Sequence, residues 1–157
     1  MIRRCTLISV GKPKGWAAEA SEDYTMRLRR YFHVNIIEVA EEDMNRRSPE
    51  EVLSAEGQRI LRHLPNEAYM ISLDRENGKQ HPSEKLALKL EDLGASGRSH
   101  VAFVIGGPLG LSPEVLRRSN DLWSFGSITL PHSLARVVLL EQLYRAAKIY
   151  RNEKYHW

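Results

Sequence analysis

Apolar residues along this chain fall into two alternating kinds of segment. The first kind is short, aliphatic and rich in β-branched residues, without strict polar alternation: Cys5–Val10, Val34–Val39, Ala68–Leu73, Val101–Ile105 and Ser124–Leu130. Runs of that length and character predict strands covered on both faces. The second kind is longer and has helical spacing. Trp16–Tyr31 predicts a first helix. Ser48-Pro49-Glu50-Glu51 marks the start of a second, with a capping serine, proline at the first helical position and a glutamate placed to reach back. Pro82–Leu93 carries Leu86, Leu88, Leu90 and Leu93 and stops before Gly94; Ser112-Pro113-Glu114 opens a short helix; Ser133–Arg151 is the longest.

The order is therefore β-α-β-α-β-α-β-α-β-α. It predicts an α/β fold: a mainly parallel sheet of five to six strands with helices on both faces, in one domain spanning residues 1–157. Ligands of such sheets bind beyond the carboxyl ends of the strands. The residues just after each strand are therefore the candidates for ligand contact. Glu41–Arg47 and Arg75–His81 read as polar loops.

Composition narrows the class. Charged residues make up 27% of the chain, and no apolar run approaches the roughly 20 residues needed to span a bilayer. Met1–Val10 pairs two arginines with a short apolar run, but Lys12-Pro13-Lys14 comes next, where a signal peptide would carry small residues, so the run reads as a strand. The single cysteine, Cys5, forms no internal disulfide, and the expected compartment is the cytoplasm. Net charge is +3, unevenly spread. Residues 1–31 hold 7 basic and 3 acidic side chains, residues 32–131 hold 11 and 15, and residues 132–157 hold 5 and 2. Two basic ends that met in space would suit phosphates.

Three strand ends carry ligand-compatible chemistry. VAFVIGGPLGLSP, Val101 to Pro113, ends a strand in a glycine turn and enters a capped helix. It lacks the Gly-Lys-Ser/Thr of a Walker loop and the GxGxxG of dinucleotide folds. SFGSITLP, Ser124 to Pro131, alternates small and apolar residues that could wrap a flat heterocycle. MISLD, Met70 to Asp74, is the third. If these strands are neighbours, the three ends line one crevice. No His, Cys and carboxylate cluster has metal-ligand spacing, so no metal is expected. His132 sits just before the last helix, on which Glu141 and Arg145 share a face at i, i+4. Asn152–Trp157 is a polar, aromatic tail that would fray unless something holds it.

The pieces ISLD, IGGPLGLSP, SITLPHSLARVVLLEQLYRA and the terminal KYHW closely resemble the large-subunit ribosomal RNA pseudouridine N3-methyltransferases of the SPOUT class. The resemblance spans the whole chain, including the first strand's VGK. It implies a C-terminal trefoil knot, an exception to the rule that chains avoid knots. It implies S-adenosylmethionine (SAM) as methyl donor, held by Leu73, Gly106 and Phe125, Gly126, Ser127, Ile128, Thr129 and Leu130. It implies a homodimer whose site is completed across the interface, 23S ribosomal RNA within the ribosome as substrate, and no membrane partner. Catalytic candidates are then His132, Glu141, Arg145, Tyr155 and His156. The chain departs from the family twice: Leu109 stands where a glutamate is usual in the glycine loop, and Trp157 where a basic residue is usual after Tyr-His.

Overall fold

A computed structural model describes residues 1–155. Its strands are β1 (Arg4–Val10), β2 (His33–Val39), β3 (Tyr69–Leu73), β4 (His100–Ile105) and β5 (Asp121–Trp123). Its helices are α1 (Gly15–Leu28), α2 (Pro49–His63), α3 (Ser83–Ala95), α4 (Pro113–Arg118) and α5 (His132–Tyr150). The strands form one sheet in the order β2-β1-β4-β3-β5, and every pairing is parallel. The sheet has five strands, the lower of the two expected numbers.

Strand pleating sends successive side chains to opposite faces. Cys5 and Leu7 of β1 and Phe103 of β4 join Leu28, Leu90, Leu139, Leu140 and Leu143 under α1, α3 and α5. Ile8 and Val10 of β1 and Val104 of β4 join Ile60 and Val115 under α2 and α4. Each of these side chains, fully buried, contributes roughly 1.5–3 kcal/mol. Both faces are therefore covered, which is why the strands lack polar alternation. The predicted capping box of α2 is present: the Ser48 hydroxyl accepts from the Glu51 N–H at 3.2 Å, and the Glu51 carboxylate reaches back to the Ser48 N–H.

The fifth strand is not where the apolar pattern put it. It is the short Asp121–Trp123, paired to Ile71–Leu73. Ser124–Leu130 is a loop. Two local features stop it extending the sheet. The Ser124 hydroxyl, 3.1 Å from the Gly126 N–H, satisfies a backbone donor that a ladder would need, and Gly126 has φ +111°.

The connection from β3 to α3 crosses to the outer side of β5. There Lys79 donates its N–H to Leu122 O (2.9 Å) and accepts from the Ser124 N–H (3.0 Å). The chain leaving Trp123 thus runs between β3 and a later part of the same connection. At Gly78 a side chain would collide with the Trp123 and Asp74 backbones, so the crossing needs glycine. Among the described residues no helix is long and apolar enough to cross a membrane.

Candidate active site

The three strand ends singled out by chemistry belong to adjacent strands, β4, β3 and β5. Leu73 closes β3 and is partly buried; Gly106 comes directly after β4 and is buried; the loop from Phe125 lies just past β5. The residues expected to hold the cofactor therefore lie at or just past the ends of three neighbouring strands.

The turn itself requires glycine at 106. A Cβ there would meet the turn's own backbone, with the Gly110 carbonyl carbon at 2.7 Å and Leu111 Cδ2 at 3.0 Å. Gly106 thus lets the turn close on itself, with Gly110 in the left-handed region at φ +86°. Beside it, Gly107 lies against the buried carboxyl of Glu56 on α2; a Cβ at 107 would come within 3.2 Å of Oε1. Glu56 Oε2 accepts from the Glu42 N–H at 3.0 Å, while Oε1 has no partner. Burial pushes this carboxyl above its ordinary range, and the neighbouring Glu41 pushes the same way against the Glu42 amide and Arg59.

Ser127, Ile128 and Thr129 are exposed, with Ile128 at 66%. Among the described residues, no protein group hydrogen-bonds to the backbone of Ser127–Leu130. Those N–H and C=O groups are free to read the polar edge of a heterocycle while Phe125, Ile128 and Leu130 supply apolar contact. The loop is nevertheless fixed at two points. Ser124 ties its root to the Arg75 carbonyl at 3.1 Å, and the Arg75 guanidinium donates to the Thr129 hydroxyl. Sequence reasoning puts Arg75 in a loop and gives it no role; nothing local relates it to a residue 54 positions away. A cleft of about 310 Å³ opens at the loop's root, walled by Trp123, Phe125, Leu86 and Val138, with Gln80 and Gln142 as polar contacts.

The catalytic candidates separate into two groups along α5. His132 is the first residue of the helix, not a residue ahead of it. Its Nε2 and the Glu41 carboxylate crowd Gly11, lying 3.2 and 3.6 Å from where a Cβ would stand. Glu141 and Arg145 pair at 2.6 Å and are about four-fifths buried. Tyr155 folds back onto them: its hydroxyl donates to Glu141 at 3.1 Å, and its ring lies under the Arg145 guanidinium at 4.8 Å and edge-on to Tyr144 at 4.9 Å. Burial chiefly, then hydrogen bonds and the Glu141 charge, push the Tyr155 phenol well above its ordinary value. It is a hydrogen-bond donor here. Bonding to Glu141 likewise raises Arg145, which stays cationic. His132 and Glu141 are nine positions apart, about 13.5 Å along the helix axis.

The expected fraying of the tail is also corrected. Asn152 takes φ 53°, Glu153 N–H returns to Lys148 O (2.9 Å), and the Glu153 carboxylate is held by Tyr31 (2.7 Å) and Lys148 (2.6 Å). The chain's own aromatic side chains anchor it as far as Tyr155. His156 and Trp157 lie outside the described residues.

A parallel sheet with a closed glycine turn and an open loop at neighbouring strand ends defines the chain as an α/β protein with ligand-compatible chemistry at one end of its sheet. The chain matches the family described as "Predicted SPOUT methyltransferase" over residues 3–156, and it belongs to that family. It is 63% identical over 158 residues to the ribosomal RNA large subunit methyltransferase H of Rubrobacter xylanophilus, covering 100% of both chains. Among solved structures it resembles a chain described as a methyltransferase from Bordetella pertussis (TM-score 0.59, 13% identity, 92% of this chain and 95% of that one). It also resembles a methyltransferase from Legionella pneumophila solved with SAM bound (TM-score 0.50, 17% identity, 92% and 66%). These two likenesses show the fold.

Proposed function

We propose that this protein is a SAM-dependent methyltransferase acting on N3 of a pseudouridine in 23S ribosomal RNA, on the assembled ribosome in the cytoplasm. The observation that carries the reading is the full-length likeness to a ribosomal RNA large subunit methyltransferase H, in a chain whose crevice suits the cofactor. The fit rests on the unbonded backbone of Ser127–Leu130, the apolar walls beside it and the closed turn at Gly106. Leu73, Gly106 and Phe125–Leu130 would hold SAM, which supplies a methyl group on a cationic sulfur that leaves readily.

The chain's own part is positioning and one proton. The imide N3–H of the target must be lost as the nitrogen attacks, and charge then spreads over the ring carbonyls. Arg145, held cationic and aimed by Glu141, suits that charge; Tyr155 supplies a stacking face and a donor. His132 stands beside the cofactor loop. The distance along α5 supports a homodimer in which one chain's Arg145 and Tyr155 complete the other's crevice. The half-buried side of α5 offers Leu134, Val137 and Val138 for that pairing, while Leu140 and Leu143 lie in the chain's own core. The β5 segment bracketed by Leu73 and Lys79 supports the family's knot.

Mass mapping of ribosomal RNA from a strain lacking this protein tests the reading. One lost methyl group on a large-subunit pseudouridine is expected. An unchanged methylation map, or a purified protein with no calorimetric SAM binding, would overturn it.

A further inference from the structure

Away from the cofactor loop, the first turns of α5 cover a second cleft of about 290 Å³ at the open edge of β2. Its floor holds Arg136, which is 4% exposed. The guanidinium pairs with Glu38 at 3.0 Å and donates to the Ser9 hydroxyl and, at 3.4 Å, to the Gly11 carbonyl. Ser21 of α1 lines the same cleft, also 4% exposed, and among the described residues its hydroxyl has no partner. A buried hydroxyl left unpaired is costly, so the position favours a ligand that supplies the missing bond. Pro13, Met26 and Ile36 give the cleft apolar walls, and Lys12 and Arg29 are exposed at its rim.

We infer that this cleft receives a nucleobase of the RNA strand next to the methylated nucleotide, with Lys12 and Arg29 on the flanking phosphates. The inference rests on the proposed function and adds a second contact to it. Chemistry selects a base over a free phosphate. A phosphate in the cleft would face the carboxylates of Glu22 and Glu38, whereas a base edge offers both a donor and an acceptor to the Glu38 carboxylate, the Arg136 guanidinium and the Ser21 hydroxyl. Apolar walls suit the faces of a base, and single-stranded RNA is read by splaying its bases into such slots. Placement selects the neighbouring nucleotide. Arg136 lies one turn beyond His132 on the same helical face, and both meet Gly11. The cleft and the cofactor loop therefore flank the same first turn of α5.

The test titrates each nucleoside 5′-monophosphate, and inorganic phosphate separately, into SAM-loaded, isotope-labelled full-length protein. At least one nucleotide should shift the Ser21, Thr25 and Ile36 amides saturably, while phosphate leaves them unmoved. Ser21→Leu, which fills the slot, and Lys12→Glu, an exposed change that spares folding, should each weaken that binding at least about tenfold. On ribosomal particles both should raise KM by a similar factor with kcat and SAM affinity unchanged. Shifts reproduced by phosphate alone, or absent with all four nucleotides, overturn the inference, as does a normal KM in both variants. A wild-type protein that binds no SAM and methylates nothing would instead sink the proposed function.

Discussion

The two ends of α5 solve different problems. At its start, beside the strand ends, the protein offers backbone: a glycine turn packed on itself, an open loop and few side chains. In its second half it offers side chains only: Glu141, Arg145, Tyr144 and Tyr155 locked together with Tyr24 and Arg27 of α1. The first arrangement can mould to the outline of a ligand but delivers little charge. The second delivers a fixed cation and a fixed ring but has no room of its own. Each lacks what the other has, and about 13.5 Å of helix keeps them apart within a chain.

The largest effect is expected at the backbone end. Gly106→Ala forces the turn open against Gly110. Overpacking of this kind costs about 1–3 kcal/mol. Read as lost SAM affinity by calorimetry, that is roughly five- to 150-fold. A folded variant with wild-type affinity would show the turn to be irrelevant to the cofactor.

The side-chain end should break differently. Deleting residues 155–157 removes the Tyr155 contacts yet leaves the Glu153 anchor. Methyl incorporation at saturating SAM should fall at least about tenfold, the equivalent of 1.4 kcal/mol, with SAM affinity unchanged. Near-normal turnover would make the tail a spectator.

Mixing the two defects sharpens the comparison. At a SAM concentration too low to load the Gly106→Ala site, Gly106→Ala and Arg145→Ala chains, each nearly inactive alone, should recover about a quarter of wild-type activity when combined in equal amounts. Half of randomly paired two-fold dimers are mixed, and each mixed dimer regains one of two sites. No recovery between variants shown to exchange subunits would mean that each chain works alone.

Much of this is legible in the chain. The capping box at Ser48, the α/β order with five to six strands and the ligand-compatible chemistry of three strand ends come from local chemistry and periodicity, while the adjacency of those ends is supplied by the sheet order. What escapes depends on contacts remote in sequence. A three-residue edge strand carries too little pattern to outweigh the apolar run after it, so the pattern places β5 too late. The tail has no periodicity of its own; it is anchored by Tyr31, more than 120 positions upstream. Arg75, Arg136 and Glu56 read as surface charge until the fold buries or binds them.

A smaller effect tests the support beneath the glycine turn. Because burial raises the Glu56 carboxyl, its contribution to stability is present below the unfolded value and is lost as pH rises through the folded one. Glu56→Gln keeps an acceptor for the Glu42 amide and removes the charge. Its thermal midpoint should exceed wild type at pH 7 and match it near pH 4. A lower midpoint at pH 7 would mean that the charge is used, for instance to attract the cationic cofactor to Gly107.

Cys5 sits at the centre of the sheet, 0% exposed, its thiol pushed up to about 12 by burial. A reagent that modifies thiols is therefore blind to the native protein and sees the chain only when the helices packed over that face of β1 lift away. The molecule carries its own clock for that event. The rate at which a thiol reagent labels Cys5 under native conditions reports how often that helical layer opens, with no denaturant and no label added by design.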